Sequence, residues 1–179
     1  MALYLVESSL PKNLRDRAQL EQSIEQISKQ AGENNAALVE VQIAADLVRA
    51  FFVLDAADQK QVKGIFAGTG APVSLVKPVR LVGETPSKAS AEGVKYLVEW
   101  NLPEGLTMEA YLARKKEKTP LYAEVPEVSF IRTYVCEDMT KCLCFYDAPD
   151  EAAVVKARQV VETPLDSITE TTSFTKETK

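Results

Sequence analysis

Apolar positions in this chain change period in the same order twice. Residues 2–8, closed by Leu10-Pro11, predict a strand. Leu20, Ile24, Ile27 and Ala31 then recur at helical spacing, which predicts a helix over 17–31 with Asp16 at its N-cap and Gly32 as its stop. Leu38-Val39-Glu40-Val41-Gln42-Ile43 alternates apolar and polar, residues 44–48 turn the chain, and residues 49–54 return it as a hairpin. A second helix starts after Asp58, where Asp58 and Gln61 have the spacing of a capping box, and stops near Gly68. The last strand of the series covers residues 73–82.

The order βαββαβ recurs at a constant offset of 92. Tyr4-Leu5-Val6-Glu7 with Leu10-Pro11 stands against Tyr96-Leu97-Val98-Glu99 with Leu102-Pro103. The same offset carries Asp46 onto Asp138, Asp55-Ala56-Ala57-Asp58 onto Asp147-Ala148-Pro149-Asp150, Val62 onto Val154 and Pro72 onto Pro164. Copy two is expected to have strands at 95–100, 128–136, 141–146 and 166–174, and helices at 108–118 and 151–161. This is the α+β, ferredoxin-like order, in which two helices cover one face of a four-stranded antiparallel sheet. The bare face must be wet or covered. Two tandem units meeting open face to open face, an intramolecular pseudo-dimeric α+β barrel, are therefore expected; two units on a string are the alternative. The expected bounds are copy one at 1–82, a small polar linker without apolar period at 83–93, copy two at 94–174, and a polar tail at 175–179 too short to pack.

Composition narrows the function classes. The chain has 179 residues, 46% apolar and 26% charged, enough apolar material for a real core. A formal charge of −5 argues against sequence-independent nucleic-acid binding, which needs a dominant basic face. The first residues lack the basic and apolar regions of a signal peptide and no segment is long enough for membrane insertion, so a cytoplasmic location is expected. Three cysteines in one short stretch make a poor disulfide framework. There is no histidine, which removes the commonest general base and the commonest transition-metal ligand.

Chemistry therefore concentrates in the hairpin Tyr134 to Asp147, which holds all three thiols. If Ile131, Thr133 and Val135 face the helices together with Leu143 and Phe145, a three-residue loop at Asp138-Met139-Thr140 sets Cys136 opposite Cys142. Cys136, Cys142 and Cys144 then share the open face with Arg132, Tyr134 and Tyr146, within reach of Glu99. Cys142 and Cys144 share a face in any register, whereas a one-residue slip sends Cys136 to the other side. Thiolates beside a carboxylate suit a soft or borderline ion such as zinc or nickel. Buried cysteine as a small hydrophobe, and thiol redox chemistry, are the other readings.

Tyr96-Leu97-Val98-Glu99 with Leu102-Pro103, Thr133-Tyr134-Val135, Asp138, Lys141, Cys144, Tyr146-Asp147-Ala148-Pro149, Glu151-Ala152-Ala153-Val154 and Pro164 through Ile168-Thr169-Glu170 resembles the small proteins of the domain-of-unknown-function 4242 family. The resemblance implies a ferredoxin-like fold that dimerises and, in some members, nickel binding. It carries Cys144 over as the cysteine of the third strand, with Glu99, Tyr134, Asp138 and Asp147 as companions. Members often have histidine near the second helix, where this chain has Lys156 and Ala157. Copy one has Ala44, Ala50 and Phe52 at the three cysteine positions, so one copy at most retains such a site.

The candidate metal ligands are thus Cys136, Cys142, Cys144, Glu99, Asp138 and Asp147, and the expected function is a non-catalytic binding protein for nickel, zinc or a small ligand at this hairpin. A scaffold subunit is the first alternative, its protein partner docking on the basic helix residues Arg114, Lys115, Lys116 and Lys118 and on Trp100. A small α+β barrel enzyme is the second, with acid-base work falling to Glu99, Asp138, Asp147 or Tyr146. Gly68-Thr69-Gly70 follows a helix and precedes a strand, the reverse of a phosphate loop, and reads as a helix stop.

Overall fold

The computed structural model describes residues 1–174; the expected tail lies outside them. It is α+β, with eight strands that pair antiparallel and five α-helices among the described residues. In chain order these are β1 (Ala2–Ser9), α1 (Arg17–Glu33), β2 (Ala37–Ala44), β3 (Arg49–Ala56), α2 (Gln59–Phe66), β4 (Leu75–Gly83), α3 (Lys88–Gly93), β5 (Tyr96–Asn101), α4 (Met108–Lys118), β6 (Ser129–Cys136), β7 (Lys141–Asp147), α5 (Glu151–Val160) and β8 (Ser167–Ser173). A 3₁₀ helix, Thr119–Glu124, follows α4.

The chain divides into two compact units. Unit 1 holds Met1–Val79, Pro86–Glu92 and the residues from Thr171; unit 2 holds Arg80–Thr85 and Gly93–Glu170. In unit 1, β1 pairs with β3 and β4, β2 pairs with β3, and the end of β8 pairs with β2 through Ile43 and Thr172. Leu20, Ile24, Ile27 and Ala31 of α1 pack with Val62, Ile65 and Phe66 of α2 onto Val41, Ile43, Phe52 and Leu54. The apolar spacing that predicts α1 is therefore the face it buries. Asp16 and Asp58 cap α1 and α2 by accepting from the Gln19 and Gln61 amides. Beyond α2, Gly68 and Gly70 take positive φ.

In unit 2, β5 pairs with β7 and β8, and β6 pairs with β7. Val98, Trp100, Val135, Cys142, Cys144 and Tyr146 pack against Tyr111 of α4 and Val154 and Ala157 of α5. Asp150 caps α5 by accepting from the Ala153 amide at 2.8 Å. Gly83, at φ +112°, lies so close to β6 that a Cβ there would meet the Ile131 carbonyl and the Arg132 Cα at 2.9 Å.

The polar stretch before β5 is not irregular throughout. Ser87 and Ser90 exchange hydrogen bonds, each amide donating to the other's hydroxyl at 2.9 and 3.1 Å, and start α3. This reciprocal cap supplies a start that an apolar period does not reveal. No helix among the described residues is long and apolar enough to cross a membrane.

Candidate functional site

The cysteine hairpin adopts a register one residue away from the expected one. Ser129 and Phe130 pair with Asp147 and Tyr146, but a bulge at Ile131 shifts the ladder, so that Thr133 faces Cys144 and Val135 faces Cys142. The loop holds four residues rather than three. The Met139 amide donates to the Cys136 carbonyl at 2.8 Å, and Met139 is left-handed at φ 59°. Thr133 and Val135 do face the helices, and the shifted register brings Cys142 and Cys144 to that face with them. Leu143 and Phe145 face away from the helices, contrary to expectation.

The six expected ligands are consequently scattered. Cys142 and Cys144 are neighbours with their sulfurs 4.0 Å apart. Cys136 is buried on the opposite face, with Tyr134 and Arg132. Glu99 also lies on that opposite face, alongside Leu143, where it accepts from Lys141 at 2.9 Å and from the Ser167 hydroxyl at 2.6 Å. Asp138 is exposed in the loop and accepts from the Thr140 amide and hydroxyl. Asp147 is exposed at the far end of β7. Among the described residues no three histidine, cysteine, aspartate or glutamate side chains converge as a metal site.

A different group surrounds the thiol pair. Thr133 Oγ1 lies 3.2 Å from Cys144 Sγ and donates to the Leu143 carbonyl or shares its proton with the sulfur. From α5, Arg158 Nη1 donates to Cys144 Sγ at 3.6 Å and to the Tyr146 hydroxyl at 3.1 Å, and its Nη2 donates to the Pro164 carbonyl. The Tyr146 hydroxyl meets the Tyr122 hydroxyl at 2.7 Å, and Tyr122 stacks on Phe130. Lys115 of α4 holds its ammonium 3.8 Å above the Phe130 ring.

These neighbours split the two thiols electrostatically. A hydrogen bond from Cys142, then the charges of Lys115 and Arg158 and the Thr133 hydroxyl, hold Cys144 well below the usual thiol range despite its burial. Cys142, donor of that bond and also desolvated, is pushed well above it. Of the two, Cys144 is the one whose surroundings favour the charged sulfur. Burial pushes Tyr146 up and Tyr122 to about 12, and desolvation lowers Lys115. Arg158 resists its own burial because Cys144 and Tyr146 favour its charge.

Beside the pair opens a pocket lined by Trp100, Tyr111, Tyr122, Arg158, and Arg114, Lys115 and Lys118 of α4. It holds about 370 Å³ of empty space counting its mouth. Trp100, 7% exposed, sits 6.2 Å from Tyr111 and beneath the Arg158 guanidinium. The basic run of α4 is thus largely turned inward: Arg114 donates to the Glu162 carbonyl, Lys118 to the Glu162 carboxylate at 2.8 Å, and Lys116 alone of the four is exposed. The Nε atoms of Arg114 and Arg158 are buried with no hydrogen-bond partner. Such a donor ordinarily costs about 1–3 kcal/mol. Arg158, Tyr111 and Tyr122 carry no chemical signal in the sequence; only the placement of Arg158 one turn beyond Val154 on the buried stripe of α5 hints at it.

Known proteins resemble parts of this arrangement. Residues 96–171, within which the thiol pair lies, match the profile of a family described as nickel responsive protein SCO4226-like. No curated protein matches the sequence. Among solved structures, a candidate monooxygenase from Fusobacterium nucleatum is similar at a TM-score of 0.55 and 9% identity over 96% of this chain and 91% of that one. A candidate monooxygenase from Lactobacillus acidophilus gives 0.52 and 11% over the same shares, and a candidate chlorite dismutase 0.51 and 12% over 96% and 95%. At these identities the likeness is one of fold.

The nickel of the family's description does not fit the residues present. Two sulfurs and a neutral threonine hydroxyl are one ligand short of a closed site, and the Arg158 guanidinium stands beside Cys144, where its charge repels a divalent ion.

Proposed function

We propose that this chain is a non-catalytic binding protein that holds a small organic ligand in the aromatic pocket of unit 2, beside Cys142 and Cys144. The observation that carries this reading is the pocket itself: Trp100, Tyr111 and Tyr122 line it together with Arg114 and Arg158, whose Nε atoms are buried without a hydrogen-bond partner. Concave space in which aromatic side chains and polar groups converge is what small-molecule sites share. Cys144 fixes Arg158 there electrostatically, so the thiolate serves the pocket as a counterion rather than as a metal ligand.

The reading includes a tandem duplication whose second copy kept or gained the site. Positions 92 apart do the same local work: Asp58 and Asp150 cap helices, Asp46 and Asp138 brace hairpin loops, and Leu47 and Met139 are left-handed. In the first copy Ala50 and Phe52 stand where Cys142 and Cys144 stand in the second, and they pack in an apolar core.

Trp100 is the sole tryptophan, which makes the pocket its own reporter. Native mass spectrometry of anaerobically purified protein, followed by a fluorescence screen with small organic molecules, is expected to give a bound ligand or saturable quenching at one site per chain. Stoichiometric nickel or zinc lost in Cys144→Ser would replace this reading with a metal site. Silence in both measurements would end it.

A further inference from the structure

Resting on that reading, we infer that the ligand class is a small planar carboxylate, held by Arg114 and Arg158 between the aromatic walls. The pocket contains four cationic side chains, Arg114, Lys115, Lys118 and Arg158, and no acidic one among the residues that line it. Glu162 lies at the rim and is taken up by Lys118 at 2.8 Å and by Arg114 through its carbonyl. Cys144, on the sheet side of Arg158, occupies Nη1 together with Tyr146, and the Pro164 carbonyl occupies Nη2.

What remains is Nε of each arginine. Arg158 is 3% exposed, so its unpartnered N–H cannot simply be left to bulk solvent, and Arg114 Nε is equally shielded. Two guanidinium N–H groups without acceptors call for acceptor oxygens, and a carboxylate supplies two that carry charge. Trp100, Tyr111 and Tyr122 then receive the flat, apolar remainder.

Benzoate and its neutral isostere benzamide separate charge from shape. Isothermal titration of the whole chain is expected to give benzoate binding at one site, with benzamide weaker by about tenfold or more. Arg114→Gln is expected to weaken benzoate by a similar factor and benzamide, whose single carbonyl oxygen carries no full charge, much less, and Arg158→Lys, which keeps the charge and loses the fork, to weaken benzoate further. Lys116→Gln, on the exposed side of the same helix, is expected to change neither. If Arg158→Lys does not fold by circular dichroism, Arg114→Gln decides alone. Benzamide binding as tightly as benzoate, or benzoate indifferent to Arg114→Gln, overturns the carboxylate assignment while leaving the binding reading intact. If benzoate fails and the fluorescence screen returns a neutral ligand, the assignment falls in the same way. If that screen also returns nothing, both fall together.

Discussion

Cys144 receives a proton bond from Cys142 and faces two cations, an environment that favours the charged sulfur in spite of complete burial. A thiol whose folded pKa lies below its unfolded value, ordinarily about 8.5, stabilises the fold fully above that value and loses the contribution as pH falls through the folded one. The stability difference between the wild-type chain and Cys144→Ser is therefore expected to be largest above about pH 9 and to shrink toward acid. Urea melts across a pH series measure it, and a difference that stays flat would show a neutral thiol. Thiolate absorbance gives a second test: Arg158→Gln is expected to raise the pH at which the signal appears. At this scale the sequence showed where the sulfurs are and little of what surrounds them. Arg158 reads as an ordinary helix cation, and its burial depends on Cys144 and Tyr146, which lie in a different element.

Secondary elements were largely legible because most have one buried face. Helix α1 follows its apolar stripe, and α1 and α2 carry the aspartate caps, Asp16 and Asp58, where the spacing places them. Strand β7 is harder to read: like β3 it buries five residues in succession, here Cys142 through Tyr146, and no alternation tells one face from the other. Its facing was set by the bulge at Ile131 and the fourth loop residue, neither of which leaves a mark in hydrophobic pattern. The position of Arg158 depends on α5, which starts at the Asp150 cap. Asp150→Ala is expected to cost about 1 kcal/mol in chemical denaturation and to weaken ligand binding as the helix frays. Gly83→Ala is a sharper test of β4: the positive φ and the 2.9 Å approach to β6 both oppose a side chain. A loss of about 1–3 kcal/mol is expected, and an unchanged denaturation midpoint would contradict the close approach.

Over the whole chain a net charge of −5 coexists with four cations gathered in one pocket, so average charge says nothing of the ligand. The division into units also departs from a simple cut of the chain. Unit 2 takes in Arg80–Thr85 and unit 1 takes in the residues from Thr171, so each unit includes a short segment from the far side of the midpoint. Arg17 donates to the Thr172 hydroxyl and the Ser173 carbonyl, and the Glu84 amide donates to the Ile131 carbonyl. Fragment 1–92 is therefore expected to lose hydrogen-exchange protection where its partners are missing, at Gln42–Ala44, which lack β8, and at Glu84, whose amide lacks the Ile131 carbonyl. Protection equal to that of the intact chain would show that the segments are dispensable.

The pairing of Ile43 with Thr172 also sets an order of events during synthesis. β2 leaves the ribosome long before its partner strand exists, so its Gln42–Ala44 edge waits unpaired while unit 2 is still being made. An open strand edge is a template for association with other chains, and contacts so distant along the chain form late. The same exchange that ties the two halves of the sequence together thus leaves the nascent first half exposed to aggregation, with its protection deferred until residues 171–173 emerge.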